Sequence, residues 1–235
     1  MAAYADLTWN DPNPLKRWVQ RRRLADALEH VPEGMAPTTV IDYGAGDGAL
    51  ATMAAARWPE ASIVCFEPST DLAFQAERRL GGAARVVRTE ADLPPQADLI
   101  FCTEVFEHLP EAETARALDE LGARMAPGCL LVVGVPVEVG PPALAKGLFR
   151  ALRRGGDYDG SLRRIRQAAM GRPPVDRPMA DWSGRGYHPH HLGFDHRALR
   201  RLLEARFGPV RLTGSPFAWL PVFLNSEAYM TVRRA

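Results

Sequence analysis

The sequence predicts a doubly wound α/β fold, and three observations carry that reading. Short apolar runs alternate with helical patterns up to Pro136. The runs are nearly continuous instead of alternating polar and apolar, as strands of a parallel sheet covered on both faces require. A glycine-rich turn, "GAGDGA" at 44–49, directly follows the first of them, where such sheets place their ligands.

The elements follow in order. In "NPLKRWVQRRRLADALEHV" the apolar residues Leu15, Trp18, Val19, Leu24, Ala27, Leu28 and Val31 fall near helical spacing behind Pro14, which suits a first turn. A helix over 13–31, laid against the body, is predicted. "TTVIDY", "ASIVCFE", "ARVVR", "ADLIFCTE" and "CLLVVGVP" read as strands; "LATMAAARW", "TDLAFQAERRL" and "EAETARALDELGARM" read as the helices among them. After Pro136 about 55 residues pass before the next clear helix, "FDHRALRRLLEARF", with Leu199, Leu202, Leu203 and Phe207 on one face. An interruption that long in a compact domain is usually a lid or binding segment, and 137–192 is assigned as a lid insertion forming an acceptor site within one domain, 1–235. "PVRLTG" and "EAYMTVRRA" read as an antiparallel pair closing one sheet edge.

Composition bounds the function classes. The chain is 46% hydrophobic and 24% charged, with a net charge of +1, so no global charge speaks for nucleic acid. Cys65, Cys102 and Cys129 lie inside apolar runs and read as small buried hydrophobes in a reducing compartment. No 18-residue apolar stretch and no signal-peptide pattern occur, so a soluble, cytoplasmic protein without an integral membrane segment is expected.

The glycine turn satisfies both G-x-G-x-x-G/A, the dinucleotide fingerprint, and G-x-G-x-G; alone it does not choose. Asp42, two residues before Gly44, does more: at a strand end a carboxylate repels a pyrophosphate and attracts an amino or sulfonium cation. Glu67 closes the next strand about 20 residues beyond the turn, where an acid accepts ribose hydroxyls. In "DLIFCTEVFEHLP" a strand runs into Glu104, then Glu107 and His108, with a helix starting near Pro110.

These motifs, D-x-G-x-G-x-G, an acid ending the second strand, and "EVFEHL" after the fourth, together resemble the class I S-adenosylmethionine-dependent methyltransferases, especially small-molecule enzymes of the ubiquinone-biosynthesis type. The resemblance covers 38–136 well and the tail from Gly193 more loosely. It implies a Rossmann-like, mostly parallel seven-stranded sheet with an antiparallel edge strand. It also implies S-adenosylmethionine as cofactor: Asp42, Gly44, Ala45 and Gly46 on the methionine moiety, Glu67 and Pro68 at the ribose, "TEADLP" with Asp92 and Leu93 over the adenine, and Glu104 beside the sulfur. Kin often show Gly-Asp-Ala where this chain has Arg88, Thr89 and Glu90, so Asp92 and Glu90 both stand as partners of the adenine N6. The implied reaction is methyl transfer to a small-molecule acceptor, oxygen ahead of nitrogen, by in-line attack that releases S-adenosylhomocysteine. A nicotinamide-dependent oxidoreductase is disfavoured by Asp42; a noncatalytic S-adenosylmethionine-binding regulatory or partner protein is the rival outside the enzymes.

Four histidines, His188, His190, His191 and His196, sit in "YHPHHLGFDH". No cysteine accompanies them and Pro189 breaks any helical facing, so no metal is assigned. His191 is the first choice for a general base, needed only if the acceptor is a neutral hydroxyl; Glu107 and His108 read as structural. A basic cluster, Lys146, Arg150, Arg153, Arg154, Arg163, Arg164, Arg166, Arg172 and Arg177, faces only Asp157, Asp159 and Asp176 in sequence. It reads most simply as a solvated helix pair, and functionally as attraction of an anionic or lipid-linked acceptor or a membrane surface. Lacking interleaved aromatics, it is not a nucleic-acid surface. Tyr4, Trp9, Trp18, Trp182 and Tyr187 are the expected acceptor walls, in a monomer or homodimer.

Overall fold

The computed structural model describes residues 14–154, 158–182 and 184–234. Tyr4 and Trp9, like Asp157 of the charged segment, lie outside the described residues, and so do the side chains of Arg153, Arg154 and Trp182.

In chain order the elements are α1 (Pro14–Glu29), β1 (Thr39–Tyr43), α2 (Ala49–Arg57), β2 (Ser62–Phe66), α3 (Thr70–Leu80), β3 (Arg85–Val87), β4 (Ala97–Thr103), α4 (Glu111–Arg124), β5 (Met125–Pro136), α5 (Pro141–Arg154), α6 (Leu162–Ala169), β6 (Ala180–Trp182), β7 (Arg185–Tyr187), α7 (His196–Phe207), β8 (Arg211–Ser215) and β9 (Glu227–Arg233). The strands form a seven-stranded sheet of order β3-β2-β1-β4-β5-β9-β8, with β6 and β7 as a separate pair. β1 runs parallel to β2 and β4, and β2 to β3. The polarity reverses at β9: Gly128 N donates to Arg234 O, whereas Val137 N donates to Ser226 O, so partners descend as β5 ascends. The predicted sheet, with its antiparallel strands at one edge, is the one found.

Contacts divide the chain into two compact units, one of 1–103, 119–133 and 231–235, the other of 104–118 and 134–230. In the first unit, Val40, Ile41, Ile63, Val64, Cys65, Leu99, Ile100, Phe101 and Cys102 are all buried, which is why these strands read as continuous apolar runs. All three cysteines are buried and unbridged. The mouths of β1 and β4 are tied by one carboxylate oxygen: Asp98 Oδ2 accepts from Thr38 N at 2.8 Å, Thr38 Oγ1 at 2.6 Å and Thr39 N at 2.9 Å. The predicted N-terminal helix is present, as α1, and Arg57 at the end of α2 donates to Leu28 O in the last turn of α1 and to Val31 O just beyond it, satisfying carbonyls that a helix end leaves open.

In the second unit, the stretch without a clear helix in the sequence holds α5, α6 and the β6–β7 pair. α5 crosses α6 at Gly147, where a Cβ would stand 2.6 Å from Ile165 Cγ1. Ala143, Ile165, Ala168 and Leu192 form a small core there. The polarity of α5 is inverted: Lys146 and Arg150 turn onto buried Glu138, while Leu144, Leu148, Phe149 and Leu152 are exposed. Among the described residues no helix is long and apolar enough to cross a membrane.

Candidate active site

The glycine turn between β1 and α2 uses its three glycines differently. Gly44, Gly46 and Gly48 all have positive φ, at 79°, 57° and 77°, a region that costs any side chain. A Cβ on Gly46 would meet nothing within 4 Å, so its backbone is bare toward open space. One on Gly48 would meet Ala76 Cβ at 3.2 Å and Leu80 Cδ1 at 3.3 Å, so Gly48 is required for the close approach of α3. Arg79 of α3 fixes the turn further, donating to Asp47 O at 2.9 Å and Asp47 Oδ2 at 2.7 Å.

The amides of the turn are already engaged. Gly44 N and Ala45 N both donate to Phe66 O, at 2.8 and 3.0 Å. Gly46 N donates to Glu67 Oε2 at 2.9 Å, and Ser69 N to Glu67 Oε1 at 2.8 Å. Even the Ala51 amide in the first turn of α2 serves Asp42. A phosphate-binding turn needs free N–H groups aimed at its ligand; here those of Gly44, Ala45, Gly46 and Ala51 are given to protein acceptors, and the side chains beside the turn are carboxylates. The ambiguity of the glycine pattern resolves on that point, against a pyrophosphate.

Asp42 and Glu67 are both buried. Asp42 is pushed up to about 7, first by burial and then by the negative charge of Glu67 and, less, of Asp47, against the Ala51 amide. Burial also raises Glu67, opposed by the Ser69 and Gly46 amides. Asp42 Oδ2 is buried with no hydrogen-bond partner, which is costly unless a ligand donor answers it. Two buried acids, one with an orphaned oxygen, beside a bare glycine backbone fit an amino or sulfonium cation linked to a hydroxylated sugar. Pro68, beside Glu67, is half-buried.

The turn over 90–94 is held from below by Arg124, which donates to Glu90 O, Leu93 O and Pro94 O. Leu93 is buried and Asp92 exposed. Glu90 Oε1 accepts from Tyr43 OH at 3.3 Å, and Asp92 Oδ2 from Thr89 Oγ1 at 3.0 Å.

In the second unit, Glu104 directly follows β4 with φ of 59°, and its amide donates to Gly134 O at 2.8 Å. Among the described residues it is the only non-glycine held at positive φ, a strain that persists only where surroundings impose it and that concentrates at functional positions.

The four loop histidines separate. His188 Nδ1 pairs with Pro178 O at 2.8 Å, His190 Nδ1 with Asp159 Oδ2 at 3.3 Å, and His196 is buried in α7 and lowered to about 4 by burial, hence neutral at pH 7. His190 also meets the Tyr158 ring, at 5.6 Å, whereas His191 meets a second imidazole, its Nε2 lying 3.2 Å from His108 Nε2. Glu107, completely buried, places Oε1 3.9 Å from His108 Nε2. Tyr187 stacks on His108 at 4.6 Å. The sequence reading, which took Glu107 and His108 as structural, missed this grouping; the adjacent Glu-His pair behind a strand end was the available signal, but 83 residues separate His108 from its partner.

Four members of the basic cluster, Lys146, Arg150, Arg164 and Arg177, are spent internally. Arg150 meets Glu138 through two bonds of 2.7 and 3.0 Å. Burial alone would raise Glu138, but Lys146, Arg150 and, less, His191 bring it down to about 2. Arg164 pairs with Asp176 at 2.6 Å, and Arg177 donates to the backbone carbonyls of Glu107 and His190.

A family profile described as a methyltransferase domain matches residues 15–206. A trans-aconitate 2-methyltransferase from Methylobacterium nodulans is 34% identical over 170 residues, covering 71% of this chain and 63% of that protein. A malonyl-[acyl-carrier protein] O-methyltransferase from Geobacter sulfurreducens is 36% identical over 106 residues, 42% of this chain and 40% of that one. The chain thus spans less than two thirds of these curated relatives. Among solved structures, a 1,6-didemethyltoxoflavin-N1-methyltransferase from Burkholderia thailandensis, with S-adenosylhomocysteine bound, superposes with a TM-score of 0.55 at 16% identity, over 97% of this chain and 84% of that one. That likeness concerns the fold.

Proposed function

The chain belongs to the methyltransferase-domain family, and from that premise we propose that it transfers the methyl group of S-adenosylmethionine to an oxygen of a small anionic acceptor. The observation that carries the reading is Asp42: a buried carboxylate with an orphaned oxygen, next to a second acid and a glycine turn whose amides are consumed.

S-adenosylmethionine, when bound, supplies a sulfonium-activated methyl. Asp42 receives the cationic methionine end, with Gly44, Ala45 and Gly46 allowing close approach. Glu67, each oxygen already accepting one amide, has lone pairs left for ribose hydroxyls. Glu90 accepts from Tyr43 and Asp92 from Thr89 Oγ1, and each carboxylate keeps lone pairs for the adenine N6, so both remain candidates, with Asp92 exposed beside buried Leu93. Attack on a sulfonium quenches charge, so the residues contribute mainly by aligning the reactants and excluding water.

For the acceptor, both relatives described above are named for carboxylic acids, trans-aconitate and a malonyl group. A carboxylate oxygen is already a nucleophile at neutral pH, so His191 is required as a base only for a neutral hydroxyl.

Calorimetry tests the donor assignment: S-adenosylmethionine and S-adenosylhomocysteine are expected to bind and NADH not. NADH binding alone, or unchanged donor affinity in Asp42→Ala, would overturn it. Incubation with methyl-labelled donor and a panel of di- and tricarboxylic acids, phenols and amines tests the acceptor class, with label expected in the acids. A protein that binds donor and labels no small molecule, lipid or macromolecule of a cell extract is a sensor.

A further inference from the structure

We propose that Glu107, His108 and His191 form a site for one divalent first-row transition-metal cation. Their donor atoms lie within 4.8 Å of one another, and the two Nε2 atoms are 3.2 Å apart. Two imidazole nitrogens on one tetrahedral zinc-like ion, each about 2.0–2.1 Å from it, are separated by about 3.3 Å, so the rings already stand at chelating distance. The carboxylate, at 3.9 Å from His108 Nε2 and within 4.8 Å of His191, needs to close by about 0.5–1.5 Å to complete the set.

The surroundings prepare the donors. His108 Nδ1 lies 2.8 Å from His188 O and can only donate there, so in the neutral ring the lone pair is on Nε2, aimed at His191. A backbone carbonyl on the far nitrogen is how ligating histidines are fixed in tautomer and orientation. Tyr187, stacked within 9° of parallel, holds the ring plane. Arg177 donates to the carbonyls of Glu107 and His190 and so pins the two segments that supply the ligands. Gly193 keeps Arg177 in place, since a Cβ there would come within 2.7 Å of Arg177 Cγ.

Two imidazoles and a carboxylate suit zinc and its neighbours and leave at least one coordination position open. A dication against one carboxylate, with the Arg177 guanidinium nearby, leaves net positive charge, so the open position takes an anionic oxygen. That conclusion departs from the sequence reading, which assigned no metal. The site does not rest on the methyl-transfer reading, because metal binding is measured without donor or acceptor. The rival account of the 3.2 Å contact is a hydrogen bond in which His191 Nε2–H donates to His108.

The test uses the full chain, stripped with a chelator and checked for folding by circular dichroism, then equilibrated with Zn2+, Mn2+ or Co2+. One ion per chain by elemental analysis is expected, with visible Co2+ absorption displaced by Zn2+. His191→Ala and Glu107→Gln should each weaken Co2+ binding at least tenfold; His190→Ala, whose ring meets Asp159, should leave it unchanged. If His191→Ala fails to fold, His191→Gln is read in its place. The absence of stoichiometric binding of all three ions, or affinity indifferent to His191 and Glu107, would overturn the site and leave the hydrogen-bonded pair.

Discussion

Asp42 shows how a single side chain trades stability against recognition. Its folded value of about 7 lies above its ordinary 3.8, so between roughly pH 4 and 7 the folded state retains a proton that the unfolded chain has lost. Stability contributed by this group therefore falls as pH rises through that window and is level above it. Asp42→Asn removes the penalty and is expected to stabilise the free protein at pH 8 by about 1–4 kcal/mol, with little change at pH 4, as read by thermal unfolding at both values. The same variant should lose donor binding at least tenfold. For the native chain, calorimetry at pH 8 and pH 5.5 should show weaker S-adenosylmethionine binding at the lower value, because protonated Asp42 no longer answers a cation; affinity independent of pH would contradict the assignment. The sequence disclosed that Asp42 was acidic and well placed. It did not disclose that the carboxyl is buried or that Ala51 supports it, since both depend on how the β1–α2 turn closes.

At the scale of elements, the turn and α5 make contrasting cases. Gly46→Ala places a methyl in open space at φ 57°, and is expected to cost about 1 kcal/mol in stability but to weaken donor affinity sharply. Gly48→Ala combines φ 77° with contact on Ala76 and Leu80, so its effect should appear first in the melting temperature, at about 1–3 kcal/mol. Equal effects of the two on binding would refute the division of roles. In α5, Glu138→Ala leaves Lys146 and Arg150 without their buried anion and should destabilise the protein by about 3–5 kcal/mol, measured by urea unfolding. α3 was legible to the residue, because its Ser69 cap and Gly81 stop are local signals. β5 begins at Met125, earlier than the apolar run announced, because Pro127 and Gly128 read locally as a turn while pairing with β9 extends the strand. α5 was blurred for the opposite reason: its charged face is the one that finds a buried partner.

For the molecule as a whole, the alternation of strands and helices made the sheet legible from sequence, since β1, β2 and β4 announced themselves by burial on both faces, whereas β3 at the sheet edge leaves Arg85 exposed. The grouping of Glu107, His108 and His191 was not legible, because it depends on which loop returns to which strand end, and no periodicity encodes that. The acid pair of Asp42 and Glu67 also acts at this scale. A ligand that binds only the folded chain stabilises it by RT ln(1 + [L]/Kd), about 2.7 kcal/mol at a hundredfold excess over Kd. Here the ligand is expected to relieve a built-in repulsion as well. Limited proteolysis should therefore slow when S-adenosylhomocysteine is added, and slow little in Asp42→Asn. In a cell, the abundance of the protein would then follow the supply of the ligand that answers Asp42, because chains without it would be the ones that proteases reach first.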